Sequence, residues 1–260
     1  KIIKRKKIEY IVNFAAQGMV EESWFSPEDW YRTNLISQIE ILNDMRKLKS
    51  IKKYINFSTP EVYGSNNKII KESFFFNPST PYALSRSSMD LHLRLLFQNY
   101  NFPMIITRTA NIYGPYQQLY RIIPKSIIYF LKNKKLSLHG GGNSYRSFIF
   151  MEDVSNALFK ILKKGKIGST YHISTNEFIS IKKLVNIIQK KLKRKNLLNL
   201  KAKERMGKDY AYKLSSIKLK KEIKWKPRTS LNQGIDETIG WIKQNFKYFK
   251  KNKTEYKHKR

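Results

Sequence analysis

The sequence contains no cysteine, which excludes both a disulfide framework and a thiolate-held metal. That absence fits a reducing, cytoplasmic setting without demanding one. Acidic residues are scarce: 19 Asp and Glu stand against 52 Lys and Arg, for a formal net charge of +33. No apolar run reaches the roughly 18 residues of a membrane-spanning helix. The opening Lys1-Ile2-Ile3-Lys4-Arg5-Lys6-Lys7 is basic but does not lead into the apolar stretch of a signal peptide. The histidines, His92, His139, His172 and His258, show no metal-ligand spacing, so no metal site is expected. No Gly-x-Ser-x-Gly elbow occurs, which argues against an α/β-hydrolase. Gly140-Gly141-Gly142 has no Lys-Ser/Thr after it at the spacing of a nucleotide-binding P-loop.

What is present is a chain of 260 residues, 41% hydrophobic and 13% aromatic, enough to bury a core. The positive charge would ordinarily raise a nucleic-acid partner. Lysine is spread along the whole sequence beside abundant Asn and Ile, however, with no zinc-finger spacing and no RNP-like motif. Non-specific attraction to polyanions is expected, but no specific nucleic-acid partner and no membrane partner.

The chain is organised around residues 54–86. Tyr54-Ile55-Asn56-Phe57 has the pattern of a buried strand, which places Ser58, Thr59 and Glu61 where a strand opens into a loop. In open parallel sheets that carboxyl edge is where ligands bind. Thr80 suits a helix N-cap and Pro81 the first helical position. Tyr82 and Arg86 then lie at i and i+4, on one face of the helix. Such pairs occur on many helix surfaces. Their chemical use is that a fixed cation favours the phenolate, lowering a tyrosine pKa from its usual ~10 so that it can act as a base.

Ser58-Thr59-Pro60-Glu61-Val62-Tyr63-Gly64 resembles the Ser-Thr-Asp-Glu-Val-Tyr-Gly signature of nucleotide-sugar dehydratases, in the NAD-dependent epimerase/dehydratase family of the extended short-chain dehydrogenase/reductase superfamily. Tyr82 to Arg86 resembles its Tyr-x-x-x-Lys. Two departures stand out: Arg86 replaces the lysine and Pro60 the aspartate. Residues 13–18, Asn-Phe-Ala-Ala-Gln-Gly, resemble the loop that borders NAD; a tight strand-to-helix turn is the plainer alternative. Residues 25–34 resemble the family's next helix, including Thr33-Asn34. Thr109-Ala110-Asn111-Ile112-Tyr113-Gly114-Pro115 resembles the Arg-x-x-Asn-x-Tyr-Gly-Pro loop, whose asparagine contacts the substrate's phosphate region; a Gly-Pro turn is the alternative. Arg146 matches an arginine that grips the diphosphate, for which its planar fork is suited. Residues 205–214 resemble the segment carrying a second phosphate-contacting arginine, here Arg205. Asp153 is read as a helix-end or packing residue.

The resemblance covers residues 8–245. It implies a Rossmann-type, doubly wound parallel α/β sheet with a smaller C-terminal substrate-binding portion. Residues 1–115 are expected to be the remainder of an NAD-binding domain. Residues 116–246 should be mainly substrate-binding, with elements returning to the first domain, and 247–260 a basic tail. The Gly-x-x-Gly-x-x-Gly turn that holds a dinucleotide pyrophosphate occurs nowhere. The expectation is a longer enzyme lacking its first strands here; a relic without its cofactor site is the alternative.

The implied activity is an NAD-dependent 4,6-dehydration of a nucleotide-linked hexose. Thr59, Glu61, Tyr82 and Arg86 form the catalytic set. Ala15, Ala16, Gln17, Asn34 and Ser58, with Tyr82 and Arg86, lie on the cofactor; Asn111, Arg146 and Arg205 lie on the nucleotide sugar. A homodimer is expected. Because Pro60 cannot donate a proton, a decarboxylase of nucleotide-linked uronic acids and a C4 epimerase remain as alternatives. So, from another class, does a non-catalytic sugar-nucleotide- or polyanion-binding protein.

Overall fold

The computed structural model describes residues 2–204, 206–207 and 209–258. The chain divides into two units, each assembled from three separate segments.

The first unit comprises residues up to 110 together with 155–174 and 207–226. Its centre is a parallel four-stranded sheet in the order Tyr10–Asn13, Lys53–Ser58, Met104–Thr109, Thr170–Ile173. Met104–Thr109 has a strand on either side and every residue buried: Met104, Ile105 and Ile106 are apolar, and Thr107, Arg108 and Thr109 are buried polar residues. Tyr10–Asn13 lies at one edge and is only partly covered. The Pro81–Tyr100 helix, Leu42 and Met45 close one face over Tyr54, Met104 and Ile106.

Helix starts match the sequence closely where side chains can do the capping. Thr80 accepts from the Ala83 N–H at 3.1 Å, with Pro81 directly after it. Ser26, followed by Pro27, has the sequence of a helix cap but behaves differently. Its side chain makes no capping bond, and its carbonyl accepts the Asp29 N–H instead. The helical stretch it begins is also interrupted. Pro27–Tyr31 passes through a wide π-type turn, Arg32–Ile36, before Ser37–Met45 resumes the ordinary spiral. The extra residue in a wide turn rotates the later part of the helix about its axis. Asn34 and Gln38 are thereby buried between the core residues Trp30 and Leu42.

The second unit comprises residues 111–154, 175–206 and those from 227 onward. Asn111–Tyr113 pairs in parallel with Phe148–Phe150. The Ile122–Leu131 helix packs against both Ile181–Lys191 and Leu231–Gln244. Ile123, Ile127, Leu184, Ile188, Ile235 and Ile239 meet in the core. The latter two helices start as their sequences direct: Ser180 caps Lys183, and Ser230 with Gln233 forms a complete capping box. Asp153 accepts the N–H groups of Arg228 and Thr229 at 2.8 and 3.0 Å, a packing role. The basic C-terminal stretch packs onto its own unit: Thr254 is buried, and Glu255 accepts from the Tyr129 hydroxyl.

Candidate active site

In the first unit, Lys53–Ser58 runs out into a short 3₁₀ turn, Pro60–Tyr63. Thr59 holds an extended conformation that begins the turn, and its side chain accepts from the Glu61 N–H. Its hydroxyl also donates to Glu61 Oε2 at 2.5 Å. Pro60 supplies the fixed φ that a first helical position favours and is buried. Gly64 ends the turn at φ 67°, where a Cβ would collide with the Asn77 carbonyl oxygen. Only glycine fits there.

The Pro81–Tyr100 helix packs against this turn. Tyr82 is half-buried, whereas Arg86 is only 2% exposed. Arg86 Nη2 donates to the Phe57 carbonyl, tying helix to strand end. Its Nε and Nη1 have no partner among the described residues. Donors on a buried guanidinium are costly to leave unpaired. They fit the oxygens of a bound ligand, and the hydroxyls of a cofactor ribose are acceptors of that kind. The residues present therefore fit the ribose end of the implied NAD.

Asn34 joins the neighbouring loop to this helix. Its side chain accepts from the Gln17 N–H at 2.7 Å and donates to the Gln17 carbonyl at 3.0 Å and to Ser85 Oγ at 3.0 Å. Ser85 in turn donates to the Tyr82 carbonyl, and Ser23 Oγ accepts the Tyr82 N–H. Asn13 begins the same loop by accepting from the Ala15 N–H. The side chains of Ala15 and Ala16 are exposed and small, leaving the backbone open to close approach. Gln17, Asn34 and Tyr82, three of the expected cofactor-side residues, are thus hydrogen-bonded into one framework. Ser23 and Ser85 are members of it that no motif marked.

Beneath the turn lies a buried polar network. Asp90 accepts from Arg108 Nε at 3.0 Å and Nη2 at 2.9 Å, from Ser58 Oγ at 2.9 Å and from Asn56 Nδ2 at 3.3 Å. Arg108 Nη1 donates to the Tyr63 hydroxyl and the Ser73 carbonyl. Tyr63 reaches His172 Nε2 at 2.8 Å. Burial, reinforced by the Arg108 charge, pushes His172 down to about 3, so it is neutral. Burial raises the Tyr63 phenol as well, keeping it protonated. Arg108 donates to the Tyr63 hydroxyl, whose own proton lies between the Ser73 carbonyl at 3.4 Å and His172 Nε2 at 2.8 Å. Sequence motifs missed Asp90, although its spacing was readable: it lies beyond Tyr82 and Arg86 at i+8 and i+4, on the same helical stripe.

Asn111 and Arg146 fall in the second unit. The Asn111 N–H donates to the Ser147 carbonyl at 3.0 Å, placing its backbone beside that of Arg146. Arg146 pairs with Ile179 across a short antiparallel ladder and donates to the Tyr145 carbonyl. Arg205 lies outside the described residues.

The family model described as GDP-mannose 4,6 dehydratase matches residues 1–238. The chain is 31% identical over 256 residues to the human dTDP-D-glucose 4,6-dehydratase, covering 96% of this chain and 73% of the relative. Among solved structures it is similar to the dTDP-glucose 4,6-dehydratase DesIV of Streptomyces venezuelae, with NAD and TYD bound. That match has a TM-score of 0.90 at 28% identity and covers 95% of this chain and 77% of the other. It is also similar to a UDP-glucuronic acid 4-epimerase of Bacillus cereus, in complex with UDP-glucuronic acid and NAD. There the TM-score is 0.86 at 25% identity, with 92% of this chain and 76% of the other covered. By motif, by fold and by these matches, the chain belongs to the GDP-mannose 4,6 dehydratase family, within the extended short-chain dehydrogenase/reductase superfamily.

Proposed function

We propose that this protein is an NAD-dependent nucleotide-sugar 4,6-dehydratase, a lyase that converts a nucleotide-linked hexose to its 4-keto-6-deoxy product. The observation that carries this reading is the meeting of the Thr59–Glu61 hydrogen bond with the helix bearing Tyr82 and Arg86. The relatives' names and bound ligands agree with it. Arg86, Ser58, Gln17 and Asn34, with Ala15, Ala16 and Tyr82, would hold NAD. When bound, NAD would supply a hydride acceptor for the sugar C4 and, once water has left, would return that hydride to C6 while a proton from solvent closes C5.

Tyr82 takes the proton of the sugar C4 hydroxyl, and the Arg86 cation favours its phenolate form. The C4 ketone acidifies the C5–H, which Glu61 removes as a carboxylate. Thr59 holds that carboxylate in one rotamer by its 2.5 Å hydrogen bond. Elimination of water from C6 then requires a proton on the departing oxygen, and Glu61, having just gained one, is the acid of this turn. Asn111, Arg146 and Arg205 serve the nucleotide diphosphate. The unit around the parallel sheet takes the cofactor.

The test is incubation of the enzyme and NAD with dTDP-, UDP- and GDP-hexoses. A product lighter by one water, with a C4 ketone, is expected. Pro60 favours a second reading, C4 epimerisation, which needs no acid at C6. An isomeric product of unchanged mass would identify it.

A homodimer is part of the same proposal. Leu84, Leu91 and Leu95 are 44%, 42% and 55% exposed on the Pro81–Tyr100 helix. Their spacing of seven and then four residues sets them on one face, and a second copy of the chain is the partner such a face suits. Among the described residues no helix is long and apolar enough to cross a membrane. A cytoplasmic setting is proposed.

A further inference from the structure

The Asp90–Arg108 ion pair is wholly buried, with both side chains 0% exposed. A buried ion pair is weak evidence for stability, because well-packed apolar residues often serve as well. What such a pair supplies is directional hydrogen bonding, and the directions here are specific. On one side Asp90 receives Ser58, the residue at which the strand ends. On the other side Arg108 reaches Tyr63, the last residue of the 3₁₀ turn. Thr59 and Glu61 lie between those two anchors. Asp90 is itself part of the helix that carries Tyr82 and Arg86.

We propose that Asp90 and Arg108 are positioning residues, which fix the Thr59–Glu61 turn relative to Tyr82 by clamping both of its ends to the Tyr82 helix. The inference rests on the dehydratase reading of the same site, but neither residue is assigned contact with substrate or cofactor.

The surroundings of the pair fit a clamp with little freedom. The Arg108 guanidinium lies 4.9 Å from the Tyr63 ring centroid and 4.8 Å from that of Phe76, so it is stacked as well as hydrogen-bonded. Tyr63 is held edge-on by the His172 ring. Its hydroxyl also accepts the Ser73 N–H at 3.3 Å. Rotation of Tyr63 would therefore break contacts to Arg108, Ser73 and His172 together. The links run from strand end to Asp90, from Asp90 to Arg108, and from Arg108 to turn end. Each link is a side-chain hydrogen bond of defined geometry rather than a sliding apolar contact.

The experiment uses the full-length enzyme with NAD and compares wild type with Tyr63→Phe, Arg108→Lys and the double variant. Tyr63→Phe keeps the ring and the ion pair but cuts the link from Arg108 to the turn. Arg108→Lys keeps the charge but loses the fork that serves Asp90 and Tyr63 together. Each single variant is expected to lose on the order of ten- to a hundred-fold in kcat, the effect of a small misplacement of reacting groups. KM should change little. The double variant should be no worse than Arg108→Lys, because that change already releases Tyr63. Amide exchange of residues 59–64 should quicken in every variant while the Ile181–Lys191 helix stays unchanged.

A folded Tyr63→Phe enzyme with wild-type kcat and unchanged exchange at 59–64 overturns the clamp. If Tyr63→Phe does not fold, the same two readings on Arg108→Lys decide. Losses that multiply in the double variant also overturn it, since independent core defects behave that way. A wild type inactive on every nucleotide sugar sinks the dehydratase reading instead, and the exchange of residues 59–64 still reports whether the clamp exists.

Discussion

Thr59 donates its hydroxyl proton to Glu61 Oε2 at 2.5 Å, from two residues earlier on the same turn. A hydrogen bond of that length to a carboxylate is charge-assisted and directional. It makes Thr59 the residue that aims Glu61. Replacing Thr59 with valine keeps the shape and removes the donor. The expected result is a fall in kcat on the order of ten-fold, equivalent to about 1.4 kcal/mol of transition-state stabilisation. Thr59→Ser should restore most of it. Steady-state kinetics on the preferred nucleotide sugar check both variants, and a fully active Thr59→Val enzyme would remove the hydrogen bond from the mechanism.

Tyr82 and Glu61 are expected to act at different steps. Tyr82→Phe removes the base for C4 oxidation and should cost on the order of 10²–10⁴ in rate, with no transient NADH. Glu61→Gln should still allow C4 oxidation, so NADH absorbance accumulates while deuterium incorporation at C5 stops. Normal C5 exchange in Glu61→Gln would take that residue out of the reaction and favour the epimerase reading.

Gly64 combines a φ of 67° with a backbone oxygen where a Cβ would have to go. Backbone atoms cannot swing aside as a side-chain tip can. Gly64→Ala is therefore expected to destabilise the first unit by roughly 3 kcal/mol or more. Urea unfolding monitored by circular dichroism measures this. Gly240 meets nothing within 4 Å and serves as the control, since Gly240→Ala should be neutral or mildly stabilising.

His172 links stability to pH. Its folded pKa is depressed to about 3 from 6.5, so the unfolded chain binds the proton more readily. Stability is then intact above the unfolded value and falls as pH drops below about 6.5. Between pH 7 and pH 5 the loss is on the order of 2 kcal/mol. Glu72, which accepts the His172 backbone N–H, has its pKa raised by burial and acts in the opposite sense, adding stability as pH falls through its raised folded value toward 4.5. His172→Gln should flatten the slope between pH 7 and 5. Urea midpoints at the two pH values test this; equal slopes in wild type and variant would exclude His172 as the source.

The leucine face on the Pro81–Tyr100 helix predicts an oligomeric state. Leu91→Lys with Leu95→Lys should convert a dimer to a monomer in sedimentation without loss of secondary structure. A monomeric wild type would count against the proposed pairing.

Residue order alone was enough for the parallel α/β class, the strand that delivers Ser58, the Thr80-Pro81 helix start and the placement of Tyr82 and Arg86 on that one helix. Each depends on local rules, namely an apolar run, a cap with proline directly after it, or i, i+4 spacing, and these need no knowledge of the rest of the chain. The Thr59–Glu61 contact, formed within one turn, was nearly as local. Other features were settled only by folding. The π-type turn at Arg32–Ile36 turned Asn34 inward and left the apolar Leu35 only partly covered. Ser26 lost its expected side-chain cap to a backbone bond. Most of all, the network of Asn56, Ser58, Tyr63, Asp90, Arg108 and His172 joins residues as many as 109 positions apart. No local pattern specifies partners at that separation. They meet because the parallel sheet sets Lys53–Ser58, Met104–Thr109 and Thr170–Ile173 side by side, with the Pro81–Tyr100 helix packed across them.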